Sequence, residues 1–346
     1  MYLGVGIHKA FCQTTVMDES RTIVERAKVP TDREHLSEFF RRYSGSRAVI
    51  ESNTVWEFVY DELRSLRIDT ILANPLQVRA IAKSKKKTDR VDSATLAHLL
   101  RANLIPEAWA GPKATRDLRK DVRARQGLRS LSTSLKDRIY AEYIRTGVPY
   151  AEGSLGSKKG RERAVECLGT DPRVSTQLEL LGAIEEKIQE FNRELLLPKF
   201  EENPKAQLPA TIPGVGFYTA LTVVAFVGDV DRFPDSSTLV SYVGLAPPIH
   251  QSASVTRLGP ITQAGPHQLR WVLQEALQMH ARHCPARETC QLCKFYRRLV
   301  RRRGKHVAMT AAAAKLLRVM YWMLKMNQPY RPQGMEPRGY SEGEPR

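Results

Sequence analysis

The chain has 346 residues, 42% of them hydrophobic, enough for one large core or two modest ones and too polar for a fibre or a membrane bundle. A net charge of +17 and a pI near 9.8 point to polyanionic partners, nucleic acid first among them. We find no apolar run of about 18 residues and no signal-like start, and five scattered cysteines are no disulfide scaffold; a reduced protein of the cytoplasm, associated with the nucleoid and not with membrane, is expected.

In chain order, short β runs are predicted over 2–7, 11–17 and 21–29, with Asp18, Glu19 and Ser20 turning between the last two. A helix capped by Thr31, with Glu34 at the third position, follows; then a strand over 48–51, a helix over 55–66, a strand over 69–73 and a helix after Asn74-Pro75. The pattern predicts an α/β layer, a meander continued by parallel pairing. Residues 79–145 hold 17 Lys and Arg against 7 Asp and Glu, so more than half the net charge lies there. Lys85, Lys86 and Lys87 belong to it, as do Arg116, Arg119, Lys120 and Arg123 at helical spacing, and Leu128, Leu131, Leu135 and Ile139 add the apolar stripe of a long basic helix.

After a Gly, Ser and Lys-rich loop over 153–160, the apolar positions Val174, Leu178, Leu181, Ile184, Ile188, Phe191 and Leu195 step by threes and fours, as in a coiled-coil seam. A dimerising arm or packing within the monomer explains that seam equally well, and Pro198 is expected to end the helix. A mostly helical region is predicted over 208–324, with disorder from 328 to 346. The divisions are 1–110, 111–205, 206–327 and 328–346.

Four groups of residues carry chemistry. Glu51 at a strand end, and Asp89 and Asp92 three apart on a helix, are hard oxygen donors suited to Mg²⁺ or Mn²⁺. Ile212-Pro213-Gly214-Val215-Gly216 has the form of a helix-hairpin-helix turn, in which Gly214 and Gly216 let backbone amides approach a phosphate. The run Lys294, Arg297, Arg298, Arg301, Arg302, Arg303 and Lys305, interleaved with Phe295 and Tyr296, reads as a phosphate-binding helix. His280, His283, Cys284, Cys290 and Cys293 have spacing that can ligate zinc; packed or solvated thiols are the favoured reading.

The segments YLGVGIHK, AVIESNTVWE, ANPLQVRAIAKSKKKTDRVDSATLAHLLR, IPGVGFYTALTVVAFVGDVDRF and LVSYVGLAPPIHQSASVTRLGPITQAGPHQLRWVLQEA stand in that order. Together they resemble the insertion-sequence 110 family of transposases, related to pilin-gene invertases, over nearly the whole chain. The resemblance implies an N-terminal domain of ribonuclease H (RuvC-like) architecture bearing an Asp-Glu-Asp-Asp metal set. It also implies a C-terminal transposase domain with a serine nucleophile, and guidance by a structured noncoding RNA.

Carried over by position, Glu51, Asp89 and Asp92 match the second, third and fourth acidic sites and Ser252 the nucleophile, with Ser254 as fallback. Ala253 stands where the family usually has Gly, and spacing back from Arg257-Leu258-Gly259 favours Ser252. The first acidic position is Gly6, which brings no ligand; His8, two residues on and on the same strand face, is a nitrogen donor in a site that prefers oxygen. Arg257 and His267 are candidates for the phosphate, and Arg270, at a helix position, is read equally as a phosphate ligand or as structural. The expected reaction is cleavage and rejoining of element ends and target DNA by a homodimer or homotetramer. The rivals are a binding protein that has lost catalysis and a metal-dependent junction nuclease using water.

Overall fold

The computed structural model describes residues 1–81, 89–149, 154–169, 171–247, 249–252, 255–259, 261–262 and 265–334, with backbone only for 90, 249–252 and 255–258. The chain forms two compact units, Met1–Gly111 and Pro112–Arg346.

In the first unit, β1 (Tyr2–Ile7), β2 (Phe11–Met17), β3 (Ile23–Pro30), β4 (Arg47–Glu51) and β5 (Asp69–Ala73) form one sheet in the order β3-β2-β1-β4-β5. The meander is antiparallel, and β4 and β5 join β1 in parallel, as the strand-helix alternation requires. Because successive strand residues face opposite ways, Leu3, Val5 and Ile7 meet α1 (Arg33–Phe40) and α2 (Trp56–Ser65) through Leu36, Phe40, Val59 and Leu63. On the other face Val49 and Ala73 pack with Val78 of α3 (Pro75–Ile81) and with Leu96 and Leu100 of α4 (Asp89–Arg101). Gly4 permits that second layer: a Cβ there would lie 2.0 Å from the Ser93 carbonyl oxygen, and Ser93 Oγ meets Thr15 Oγ1 at 2.8 Å. The predicted Thr31 cap is corrected by one residue. Asp32 caps α1, accepting from the His35 amide at 3.0 Å, while the Thr31 hydroxyl donates to the His8 carbonyl at 3.0 Å.

The second unit opens with α5 (Lys113–Thr146), a single helix of 34 residues. Its C-terminal half packs through Ile139 and Tyr143 against α6 (Lys158–Leu168) and α7 (Pro172–Phe191), burying Val174, Leu178 and Leu181. Of the seam of threes and fours, Val174, Leu178, Leu181 and Ile188 are buried within the chain, and Glu185 rather than Ile184 takes the buried place between them. Pairing of Arg125 with Asn192 and of Arg129, Ser132 and Lys136 with Glu185 makes α5 and α7 antiparallel. Pro198 does not end the helix: a widened turn over Asn192–Leu196 leads into α8 (Leu197–Glu201), whose first turn accommodates the proline.

The main core gathers the N-terminal half of α5 around Val122, then α9 (Pro204–Ala210), α10 (Phe217–Val227), α11 (Ser236–Val243), α12 (His267–His283), α13 (Gln291–Arg303) and α14 (Lys305–Met326). The stretch from α5 to α8 therefore shares one unit with the C-terminal helices. Lys315 and Arg318 interrupt α14 in sequence, yet it is, among the described residues, the one helix long and apolar enough to cross a membrane. Eleven of its residues, from Met309 to Leu324, are buried in this core. The tail expectation is corrected for 328–334: the Tyr330 amide donates to Thr211 Oγ1 at 2.9 Å and the Gln291 amide to the Pro332 carbonyl at 3.0 Å. The remaining tail, 335–346, lies outside the described residues.

Candidate active site and nucleic-acid interface

The sheet alternation that buries Ala48 and Ile50 beneath α1 and α2 turns Val49, and by the same period Glu51, toward the α4 face. Gly4 and Gly6 share that face on β1, where Val5 pairs with Ile50. Asp89 and Asp92 lie in the first turn of α4, where a carboxylate also complements the positive end of the helix. Glu51 and the first turn of α4 thus lie on the same side of the sheet, although among the described residues the three sequence-predicted carboxylates do not converge into one ligand group. At Gly6 the side-chain position is open, with only the Gln13 carbonyl at 3.7 Å from an added Cβ. His8 reaches the same edge: its ring stacks on Phe11 at 4.6 Å and its Nε2 lies 3.4 Å from Asp89 Oδ2.

In the second unit, β6 (Ile249–Ser252) and β7 (Val255–Leu258) form an antiparallel hairpin with His250 opposite Arg257 and Ser252 opposite Val255. Ser252 thereby occupies the last paired position before the tip; Ser254 lies outside the described residues. The hairpin is the strand pair within a region that is otherwise mostly helical, as expected. Val, Thr and Ile flanking a small Ser-Ala-Ser step are the hairpin signal that sequence reasoning passed over.

Three arginines expected at phosphate point inward. Arg270 is 9% exposed and its Nη1 donates to the Val243 carbonyl at 2.9 Å and the Gly265 carbonyl at 3.2 Å. These are the two chain segments flanking the hairpin, so Arg270 braces its base. Arg119 donates to the carbonyls of Ala225 and Phe226 at 2.6 and 3.1 Å, satisfying the last turn of α10. Arg116 is 4% exposed. Helical spacing registered their charge but not the carbonyls and core they face. Lys120, Arg123, Arg301 and Arg302 are exposed; Lys120 pairs with Asp117 at 3.3 Å and Arg123 lies over the Phe226 ring. Arg297, counted in the acid-free run, meets Glu288 at 2.7 Å. Lys85, Lys86 and Lys87 lie outside the described residues, as does the side chain of Arg257.

Gly214, with φ +89°, serves packing directly: a Cβ would approach the His280 backbone nitrogen of α12 to 2.5 Å. Gly216 caps α10 and an added Cβ there meets open space, so the amide end of α10 is the part of the turn left accessible. Sequence reasoning also missed a groove of about 640 Å³ whose lining includes Arg129, Thr133 and Arg138 of α5 and His267 and Trp271 of α12. Cations and a flat aromatic along one channel are the chemistry of nucleic-acid contact.

At the far end of α12, His280, Cys284, Cys290 and Cys293 are all buried and their ligand atoms lie within 4.8 Å of one another. His283, weighed alongside them in sequence, is exposed. Burial raises the thiol pKa of Cys284 and of Cys293.

Known proteins place this architecture. A DEDD-type model described as a transposase matches residues 3–142, and a model described as the transposase IS116/IS110/IS902 family matches residues 206–291. The transposase for insertion sequence element IS1111A of Coxiella burnetii is 28% identical over 285 residues, 79% of this chain and 76% of that protein. The pilin gene-inverting protein of Moraxella bovis is 27% identical over 289 residues, 82% of this chain and 81% of its own. A probable family 20 transposase of Pseudomonas aeruginosa is 23% identical across 95% of this chain and 98% of its length. The class so defined is the transposase, a DNA-binding enzyme that cleaves and rejoins DNA. Within that class, the chain belongs to the IS110 family.

Proposed function

We propose that this transposase breaks and rejoins DNA through a transient phosphoserine on Ser252, supported by a divalent-metal site on Glu51, Asp89 and Asp92. The observation that carries the reading is the single sheet face shared by β1, Glu51 at the end of β4, and the first turn of α4. The strand order β3-β2-β1-β4-β5, with a meander and two parallel crossovers, supports a ribonuclease H-like, RuvC-like reading of the first unit. The helical second unit, with its serine hairpin, corresponds to a transposase domain.

In the proposed step the Ser252 oxygen attacks a phosphorus, the phosphodiester bond to one strand breaks, and the departing oxygen takes up a proton. The new serine phosphodiester retains the bond energy, so attack by a hydroxyl on the incoming strand restores the serine without an external energy source. The oxygen donors fit Mg²⁺ or Mn²⁺, which when bound supplies charge stabilisation at phosphate. Lys120, Arg123, Arg301 and Arg302, with Lys85, Lys86, Lys87, Arg257 and the Gly214-Val215-Gly216 turn, are assigned to nucleic-acid backbone. The substrates on this reading are element ends and target DNA selected by a structured noncoding RNA, and the acting form is a homodimer or homotetramer in the cytoplasm.

Gly6 favours a second reading, a relative that binds nucleic acid without cleaving it, because a four-carboxylate set lacks one ligand there. One assay separates the two: incubate the protein with labelled element-flank DNA and its adjoining noncoding RNA, then denature and resolve. Catalysis leaves a protein–DNA adduct that Ser252→Ala abolishes and Ser254→Ala retains, both variants still binding. Binding without adduct supports the second reading, and an adduct that survives Ser252→Ala removes Ser252 from the mechanism.

A further inference from the structure

We propose that His280, Cys284, Cys290 and Cys293 hold one Zn²⁺ in a closed Cys₃His site that fastens the end of α12 to the start of α13. The local sequence builds the ligand set. His280 and Cys284 are four apart at the end of one helix, and Cys290 and Cys293 are three apart at the start of the next, so each pair shares a side. The five residues between them turn the chain back, with the Cys290 amide donating to the Ala286 carbonyl at 2.7 Å. His280 Nε2 lies 3.4 Å from Cys290 Sγ, and all four ligand atoms are within 4.8 Å of one another. Tetrahedral zinc with Zn–S bonds of about 2.3 Å requires sulfur–sulfur separations of about 3.8 Å, so little movement separates this cluster from a coordination shell.

The surroundings favour a ligand role for the histidine. His280 Nδ1 lies 2.8 Å from the Pro213 carbonyl oxygen, which can only accept. That bond places the proton on Nδ1 and leaves the Nε2 lone pair facing the thiols, the arrangement by which an outer hydrogen bond orients a metal-binding imidazole. The Pro213 carbonyl comes within reach because Gly214 admits the α12 backbone. Cys290 Sγ also meets the Tyr330 hydroxyl at 3.1 Å, which seats the tail on the same point. Packed thiols need neither a fixed imidazole tautomer nor four converging donors. Four protein ligands fill a tetrahedron and leave no position for substrate, so the site is structural and stands apart from the serine and carboxylate chemistry.

Full-length protein purified under reducing conditions, without added metal, should carry one zinc per chain by elemental analysis. Replacing the metal with Co²⁺ should give thiolate-to-cobalt charge transfer and intense visible bands of a tetrahedral site. Cys293→Ser and His280→Ala should lose the metal, whereas His283→Ala and Cys167→Ser should retain it. Denaturation should release zinc and raise the titratable thiols by four, the three ligand cysteines and the buried Cys12. Substoichiometric zinc in the wild type, combined with a Co²⁺ spectrum lacking those bands, would overturn the site even if the cysteine variants fail to fold. Retention of metal by a folded Cys293→Ser chain would overturn the ligand assignment.

Discussion

The two donor sets of this molecule differ in almost every physical respect. Glu51, Asp89 and Asp92 are oxygen donors at strand and helix ends, Asp89 about half exposed beside His8, with the side-chain position at Gly6 open. The set on α12 and α13 is sulfur and nitrogen, buried, and closed on itself. A site that must admit a phosphate needs unfilled coordination and access; a site that holds helices together needs neither. On the proposed reading the open set serves metal-assisted chemistry and the closed set is a structural clamp, while the nucleophile Ser252 lies in the same unit as the clamp.

The sharpest break in that comparison comes from Asp92→Asn, an isosteric change that removes one charge from the open set. Strand cleavage should fall by on the order of a hundredfold or more, since metal-borne stabilisation of phosphate amounts to several kcal/mol, while the melting temperature stays within about 2 °C because Asn keeps the shape of a half-buried Asp92. Gly6→Asp should act in the opposite direction, raising Mg²⁺ affinity and cleavage together, and Asp92→Asn in that background should cancel both. Unchanged cleavage in all three variants would make these carboxylates structural.

Much of the first unit was legible because strands of period two and a helix capped by a polar residue are local signals. β1, β2 and β5 fall where alternation places them, and the cap error is one residue, Asp32 for Thr31, because both offer a side-chain oxygen. What sequence reasoning missed was non-local. The hairpin at Ser252 is four residues a side in a helix-rich region, too short for periodicity to register. Choosing His280 over His283 requires knowing that Pro213, 67 residues away, supplies an acceptor. Arg119 and Arg270 count as surface charge until the carbonyls they satisfy are known.

Inward and outward arginines extend the comparison from metals to charge. Arg302→Ala should lower the slope of log affinity against log salt by about 0.9 if its phosphate contact is with duplex DNA, and leave stability nearly unchanged. Arg119→Ala should do the reverse, lowering the melting temperature while the salt slope holds, since it removes the Arg119 donor from the Ala225 carbonyl and leaves the Phe226 carbonyl only its longer bonds from Arg232 and Tyr242. Binding measured between 50 and 200 mM salt, beside thermal melts, decides it; equal slopes for Arg302→Ala and wild type would remove α13 from the interface.

The smallest effect concerns Glu185, where α7 meets α5. Burial pushes its pKa up, but hydrogen bonds from Lys136 and Ser132, both at 2.6 Å, and the charge of Arg129 outweigh burial and leave it below the ordinary 4.5. A carboxyl whose pKa falls on folding stabilises the fold above its unfolded pKa, and that stability is lost as pH falls through the folded value. Glu185→Gln keeps the shape and loses the charge, so it should cost about 1–3 kcal/mol near neutral pH. The gap to wild type should stay constant down to about pH 4.5 and close below it. Melting curves of both proteins from pH 7 to pH 3 test this directly. A gap that persists unchanged at the acid end would mean that Glu185 stabilises the pair of helices through packing and neutral hydrogen bonds, and that its charge contributes nothing there.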